Sequence, residues 1–305
     1  MKRFVVKVTM FFALLAGIDV IWGYAFDNLV SRIDIGDVGR DNFICNKVAD
    51  DIIVFGSSRA EQHYNAQMIS DSLGISCYNC GEQACGIILS YGRLLMLLER
   101  HTPKMIIYEV TPEFDYLDGK DNHKYLYRLK QHYDRTGIDS IFWDIDNTER
   151  YKMLSGLYRH NSSFLQNSVA YFLRRSSDTG IKGFRPINWE MDTMKIRKGT
   201  IAYDSKDGYI YDPLKIKYFN KFLEKVHGVK TVFVVSPIWY VQDDAVLDTV
   251  KVICRNRDIP LLNFANNPKY VHHNEYFSDG VHLNARGADE FTRDLIVELK
   301  NVLEK

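Results

Sequence analysis

Two short stretches carry residues suited to nucleophilic chemistry. "DIIVFGSSRA", residues 51–60, ends an apolar run with a glycine and two serines, and "YFSDGVHLNARGADEF", residues 276–291, holds Asp279 and His282 three positions apart. A serine hydroxyl is a weak nucleophile, so it needs a general base, and the base needs a partner that fixes its tautomer. Asp-x-x-His on a turn lets the carboxylate face one imidazole nitrogen and leaves the other for a proton transfer. Ser58, His282 and Asp279 are therefore the candidate nucleophile, base and orienting carboxylate. Two of them also have a plainer use: Ser58 suits a helix N-cap, and His282 suits a structural link between the last helix and a loop. Arg59 and His63 are candidate substrate contacts, with a salt bridge within the fold as the plainer reading of Arg59 and a structural role, not that of the base, as the other reading of His63.

The elements that must position these residues are legible as apolar runs. "DIIVFG" (51–56), "KMIIYEV" (104–110), "KTVFVVSP" (230–237) and "IPLLNFA" (259–265) are near-continuous hydrophobic segments, with "ISCYNCG" (75–81) a weaker fifth. Strands covered on both faces have this composition, which predicts a parallel sheet between layers of helices. "YGRLLMLLER" (91–100) has helical periodicity, and the tail "ARGADEFTRDLIVELKNVLEK" puts Phe291, Leu295, Ile296 and Leu299 on one face. Alternating strands and helices predict an α/β doubly wound domain over 49–305. Residues 112–228, rich in Tyr, Asp, Arg and Asn, break the rhythm and are expected to form a mostly helical insertion over the active-site edge. In an open parallel sheet ligands bind beyond the carboxyl ends of the strands, where Ser57 and Ser58 fall.

"FGSSRA" and "SDGVHLNARG", in that order at the two ends of the domain, resemble the SGNH (GDSL-like) hydrolases. The resemblance implies a flavodoxin-like three-layer α/β/α fold with a central parallel sheet, and an esterase or O-acyltransferase activity. It also implies a Ser58–His282–Asp279 triad and no cofactor. Gly56-Ser57-Ser58 stands where the family has Gly-Asp-Ser, so Ser57 replaces an Asp. The family's second block implies an oxyanion hole built from Gly81 with Asn79 beside it in "NCGEQACG", joined by the Ser58 backbone amide. Where the family has Gly-x-Asn-Asp after the third strand, this chain has "YEVTPEFDY", with no Asn. The expected substrate is an acyl, notably O-acetyl, ester, with acylated envelope carbohydrate as its class. The alternatives are polysaccharide O-acyl transfer from a membrane acyl-donor protein and non-catalytic glycan binding on the same shell.

The amino terminus adds a location. "MKRFVVKVTMFFALLAGIDVIWGYAF" has Lys2, Arg3 and Lys7 ahead of an apolar run from Val8 to Phe26 broken by Asp19. Nineteen helical residues span about 28 Å, close to the thickness of a bilayer core. The basic flank predicts a cytoplasmic amino terminus and an exported domain. Residues 1–26 are thus a signal-anchor, or a signal peptide cut after Gly23 and Ala25, and 27–48 an irregular connector. Lys and Arg equal Asp and Glu at 39 each among 305 residues, so no net positive charge recruits nucleic acid. The five cysteines, Cys45, Cys77, Cys80, Cys85 and Cys254, cannot all pair internally. They read as small buried thiols with room for one disulfide, since "CYNCGEQAC" has no second ligand pair to make a zinc site. His272, His273 and Glu275 crowd near His282, but without a helical i, i+4 histidine pair they predict no metal.

Overall fold

A computed structural model of the chain describes residues 1–119, 122–161, 163–173, 180–192 and 208–304. Of the expected insertion, residues 120–121, 162, 174–179 and 193–207 lie outside the described residues. The chain divides into two compact units, Met1–Lys47 with Tyr125–Asp178 and Val48–Lys124 with Thr179–Lys305. The insertion is thus shared: its middle groups with the amino-terminal residues, a long-range association that one-dimensional periodicity does not carry.

The first unit is helical. Helix α1 (Lys2–Ser31) is long and apolar enough to cross a membrane, with a mean hydropathy of 2.2 in its most apolar window. It continues past the expected end at Phe26. The segment expected as an irregular connector carries α2 (Gly36–Asn46). Its polar residues hid the helix because they are used internally. The Asn42 amide donates to the carbonyls of Val30 and Ile33 at 2.8 and 2.9 Å, satisfying acceptors at and just beyond the end of α1. Further along, Ile138–Ile145, Gly156–His160 and Phe164–Leu173 are helical.

The second unit is an α/β domain. Its strands β1 (Ile52–Phe55), β2 (Cys77–Asn79), β3 (Met105–Glu109), β4 (Lys230–Val235) and β5 (Leu261–Asn263) form one all-parallel sheet in the order β2-β1-β3-β4-β5. This is the flavodoxin-like order, and the chain reverses direction across the sheet between β1 and β3. Alternate residues of each strand serve opposite faces. Ile52, Val54, Ile107, Val232 and Val234 join Tyr64, Ile69, Phe291 and Leu295 in one buried cluster. Phe55, Tyr108 and Phe233 meet Phe219 and Phe222 of the Pro213–Lys225 helix on the other face. Covered on both sides, the three central strands β1, β3 and β4 are buried along nearly their whole length, which is why they read as near-continuous apolar runs, while the edge strand β5 is only partly covered. Helices α3 (Ser58–His63) and α4 (Ala66–Leu73) follow β1, and α5 (Ile87–Leu98) follows β2. All five cysteines are buried and free, so the disulfide the sequence allowed is not formed.

Candidate active site

Strand β1 delivers its last residue, Phe55, to the switch point of the sheet, and the chain turns at Gly56. Gly56 has φ +141°, and a Cβ there would lie 2.8 Å from the Glu109 Cβ and 2.9 Å from the Ala60 Cβ, so only glycine fits the turn. Ser57 is the N-cap of α3, with extended backbone, and its Oγ shares a 2.7 Å hydrogen bond with Thr111 Oγ1. The cap role open to Ser58 is therefore filled by its neighbour. Ser58 is the first residue of the helix, and its Oγ lies 2.9 Å from His282 Nε2. Its backbone N–H has no acceptor among the described residues, as expected at a first helical position.

His282 is held by a turn that Asp279 builds. One carboxylate oxygen, Oδ1, accepts from the amides of Val281 and His282 at 2.8 and 2.9 Å, while Oδ2 accepts from His282 Nδ1 at 2.8 Å. An ionised carboxylate only accepts, so Nδ1 carries the ring proton and Nε2 presents its lone pair to Ser58. Partial burial opposes ionisation of Asp279. The His282 ring and the two amides outweigh it and hold the carboxyl below its ordinary range. Just beyond, Asn284 caps the last helix, Ala285–Leu303, by accepting from the Gly287 amide at 2.9 Å. Phe291, Leu295 and Leu299 of that helix are fully buried, so the turn is seated on the core.

Beneath the two loops lies a buried polar network that the sequence did not announce. Glu109, the last residue of β3, pairs with Arg59 at 2.8 Å and accepts from the Tyr64 hydroxyl. It also accepts from the Ser236 amide at 3.0 Å and the Ser236 hydroxyl at 2.9 Å. His63 completes the set. Its Nε2 accepts from the Leu283 amide at 3.0 Å, so Nδ1 bears the proton and donates to Ser236 Oγ at 2.8 Å. Burial foremost, with the Arg59 guanidinium and the His282 ring nearby, pushes the His63 pKa well down and keeps the ring neutral. Burial likewise raises Glu109, against the opposing pull of Arg59, Tyr64 and Ser236. Of their two readings, substrate contact and support within the fold, Arg59 and His63 follow the second, being 4% and 0% exposed and spent inside this network. The structural link to the last helix, open to His282, is made by His63. The signals were a lone glutamate ending an apolar strand in "KMIIYEV" and the serine closing "KTVFVVSP".

The expected oxyanion residues also have other duties. The Asn79 amide donates to the carbonyls of Ala60 at 2.7 Å and Tyr64 at 3.0 Å, bracing α3. Asn79 Oδ1 accepts from the Gly81 amide at 2.9 Å, so that N–H is directed at Asn79. Gly81 is required by proximity, because a Cβ there would lie 2.5 Å from the Glu61 nitrogen. Together they set the height of α3 over the sheet. The Ser58 N–H is the one of the three expected donors left without a protein acceptor among the described residues. After β3, Thr111 occupies the region of the missing Asn and bonds Ser57. Asp115, 0% exposed, accepts from the Thr111 amide and the Tyr108 hydroxyl, each at 2.6 Å.

No protein-family model matches the chain, and no curated protein matches it. Among solved structures it is similar to a candidate acylhydrolase from Bacteroides fragilis, at 10% identity over 90% of this chain and 95% of that one, with a TM-score of 0.39. It is also similar to a candidate platelet activating factor from Streptococcus pneumoniae, at 14% identity over 96% of this chain and 99% of that one, with a TM-score of 0.29. The chemistry open to the site rests on its own geometry: a serine hydroxyl, a correctly tautomerised histidine and an orienting carboxylate in one hydrogen-bonded line.

Proposed function

We propose that this chain is an SGNH-like serine ester hydrolase with Ser58 as nucleophile, His282 as general base and Asp279 as its orienting partner. The observation that carries the reading is the continuous line Ser58 Oγ–His282 Nε2, His282 Nδ1–Asp279 Oδ2, at 2.9 and 2.8 Å. In the first step Ser58 Oγ bonds the acyl carbon while its proton passes to His282 Nε2. The carbonyl oxygen takes the electron pair and faces the Ser58 N–H. Collapse expels the alcohol, which takes the proton from His282 and leaves an acyl-serine. Water, deprotonated by the same ring, then releases the acid and restores the serine. Each oxyanion donor typically accounts for about 2.7–4 kcal/mol of transition-state stabilisation. With the Ser58 N–H the one unengaged donor of the three expected, the site is a slow hydrolase until substrate draws in a second, and the Gly81 N–H is the donor we assign to that place. With α1 as an anchor and its basic flank inside, the domain works outside the cytoplasm, which makes acylated envelope carbohydrate the proposed substrate class.

The test is fluorophosphonate labelling of the full chain in detergent, read by intact mass and peptide mapping. A single adduct on Ser58, absent in Ser58→Ala and in His282→Ala, is the expected result. A folded wild-type protein that takes no adduct overturns the proposal.

A further inference from the structure

The Phe164–Leu173 helix is built inside out. Leu165, Val169, Phe172 and Leu173 recur at i, i+4, i+7 and i+8, the spacing of one helical face, yet that face is the exposed one. Leu165 is 73% exposed and Phe172 71%, while the residue turned inward is Asn167. Leu154 and Leu157 stand exposed on either side of Ser155 and Gly156, where the Gly156–His160 helix begins. Contiguous apolar surface of this kind marks a contact with something apolar.

What that is follows from α1, to which both helices are locked. Gly23 and Gly156 approach so closely that a Cβ on either would come within 3 Å of the other's Cα. Phe164 lies against Trp22 and Phe26, with ring centroids 5.0 and 4.8 Å apart. The Asp19 carboxylate accepts from Ser155 Oγ at 2.9 Å and from the amides of Gly156 and Leu157 at 3.0 and 2.8 Å. Measured from Val8, where the apolar run begins, Asp19 lies about 16 Å along the helix, Gly23 about 22 Å and Phe26 about 27 Å, against a hydrocarbon core of about 30 Å. Gly23 and its partner Gly156 therefore lie at the level of the outer leaflet. The same geometry accounts for a carboxylate inside an apolar run: Asp19 has three fixed donors, two of them the amides that a helix start leaves unpaired.

We propose that the Gly156–His160 and Phe164–Leu173 helices form a shelf embedded in the outer leaflet beside α1. Leu154, Leu157, Leu165, Val169, Phe172 and Leu173 face the lipid acyl chains. The proposal rests on α1 spanning the membrane. It also makes α1 a permanent part of its unit, because cleavage after Ala25 would remove Asp19, Trp22 and Gly23 from these contacts.

Site-directed spin labelling tests it on the full chain in phosphatidylcholine–phosphatidylglycerol vesicles. The five native cysteines are buried, so single exposed cysteines can be labelled under native conditions. Labels at Leu165→Cys, Phe172→Cys and Leu157→Cys report the shelf, Phe11→Cys reports α1, and Val297→Cys on the last helix is the aqueous reference. The expected result is a shift of the oxygen-over-nickel-chelate accessibility of the three shelf positions away from Val297 and toward Phe11. Shelf positions that match Val297 while Phe11 is in lipid overturn the shelf and leave the anchor standing. A Phe11 label that matches Val297 removes the anchor, and the shelf with it.

Discussion

The two polar clusters at the head of the sheet are built from similar residue types and behave in opposite ways. In the upper one, Ser58, His282 and Asp279 form a line that ends in a half-exposed carboxylate, with side-chain exposures of 20% for His282 and 54% for Asp279. In the lower one, Glu109, Arg59, Ser236, Tyr64 and His63 are all buried and close on one another. In the upper line Ser58 is 7% exposed, and among the described residues its hydroxyl is bonded to His282 alone and its N–H has no acceptor. The lower cluster spends its charges internally, tying β3, β4, α3 and the turn before the last helix into one piece. A histidine and a carboxylate occur in both, so residue type does not separate chemistry from support. Access and unspent hydrogen-bonding capacity do.

That contrast predicts which substitutions silence the protein and which unfold it. Ser58→Ala and His282→Ala should each lower ester turnover by about 10⁴-fold or more, with denaturant midpoints close to wild type. Asp279→Asn should cost about 10³–10⁴-fold for a specific reason. Its oxygen must keep accepting the Val281 and His282 amides, so its NH₂ faces Nδ1, moves the ring proton to Nε2 and leaves no base for Ser58. Glu109→Gln should act on the other observable. It strands Arg59 as an uncompensated buried charge and should cost about 3–5 kcal/mol of stability in urea unfolding. Adding Arg59→Met to it should recover part of that loss. If Glu109→Gln unfolds no more easily than Asp279→Asn, the division between the two clusters is wrong.

The support layer also predicts a pH dependence through Asp115, which holds Thr111 and through it Ser57. Burial pushes this carboxyl up to about 7, despite the hydrogen bonds from Tyr108 and Thr111. Unfolded, it titrates near its ordinary value, so between pH 4 and 7 the folded state binds more protons than the unfolded one. Its contribution is complete below pH 4 and is lost as pH rises through 7, by up to about 4 kcal/mol. Asp115→Asn should flatten that part of the profile of unfolding free energy against pH. An unchanged slope would show that the carboxyl is ionised in the fold.

The sheet was legible because parallel strands covered on both faces must be largely apolar, as Ile52–Phe55 is throughout and Met105–Glu109 is up to its closing glutamate. The Ser58–His282–Asp279 juxtaposition was legible because two short blocks flank the domain and strand order brings their ends together. The present partners of Asn79 and Gly81 were not legible: their types fit an oxyanion hole, while their hydrogen bonds in this structure go to each other and to α3. Satisfaction of a polar group is a property of its neighbours in space. The same holds for Glu109 and Ser236, brought together at the ends of the paired strands β3 and β4 and 127 positions apart in sequence, and for α2, whose buried Asn42 reads as an exposed residue until the end of α1 is seen against it.

His63 is where support and chemistry meet, since its ring lies edge-on to His282 with centroids 6.3 Å apart and its Nε2 holds the amide of Leu283, the next residue. Two conservative variants separate its bonds. Asparagine places its amide near the position of Nδ1 and keeps the donation to Ser236, whereas glutamine places its oxygen near Nε2 and keeps the acceptance from Leu283. Both lose one buried hydrogen bond and should lose about 1–2 kcal/mol of stability. Only His63→Asn frees the backbone that carries His282, so it should slow acylation of Ser58 by about tenfold, with KM little changed, while His63→Gln should acylate near the wild-type rate. Equal acylation rates for the two variants at equal stability would mean that the Leu283 bond does not position the base, and that the lower cluster holds the fold without aiming the chemistry.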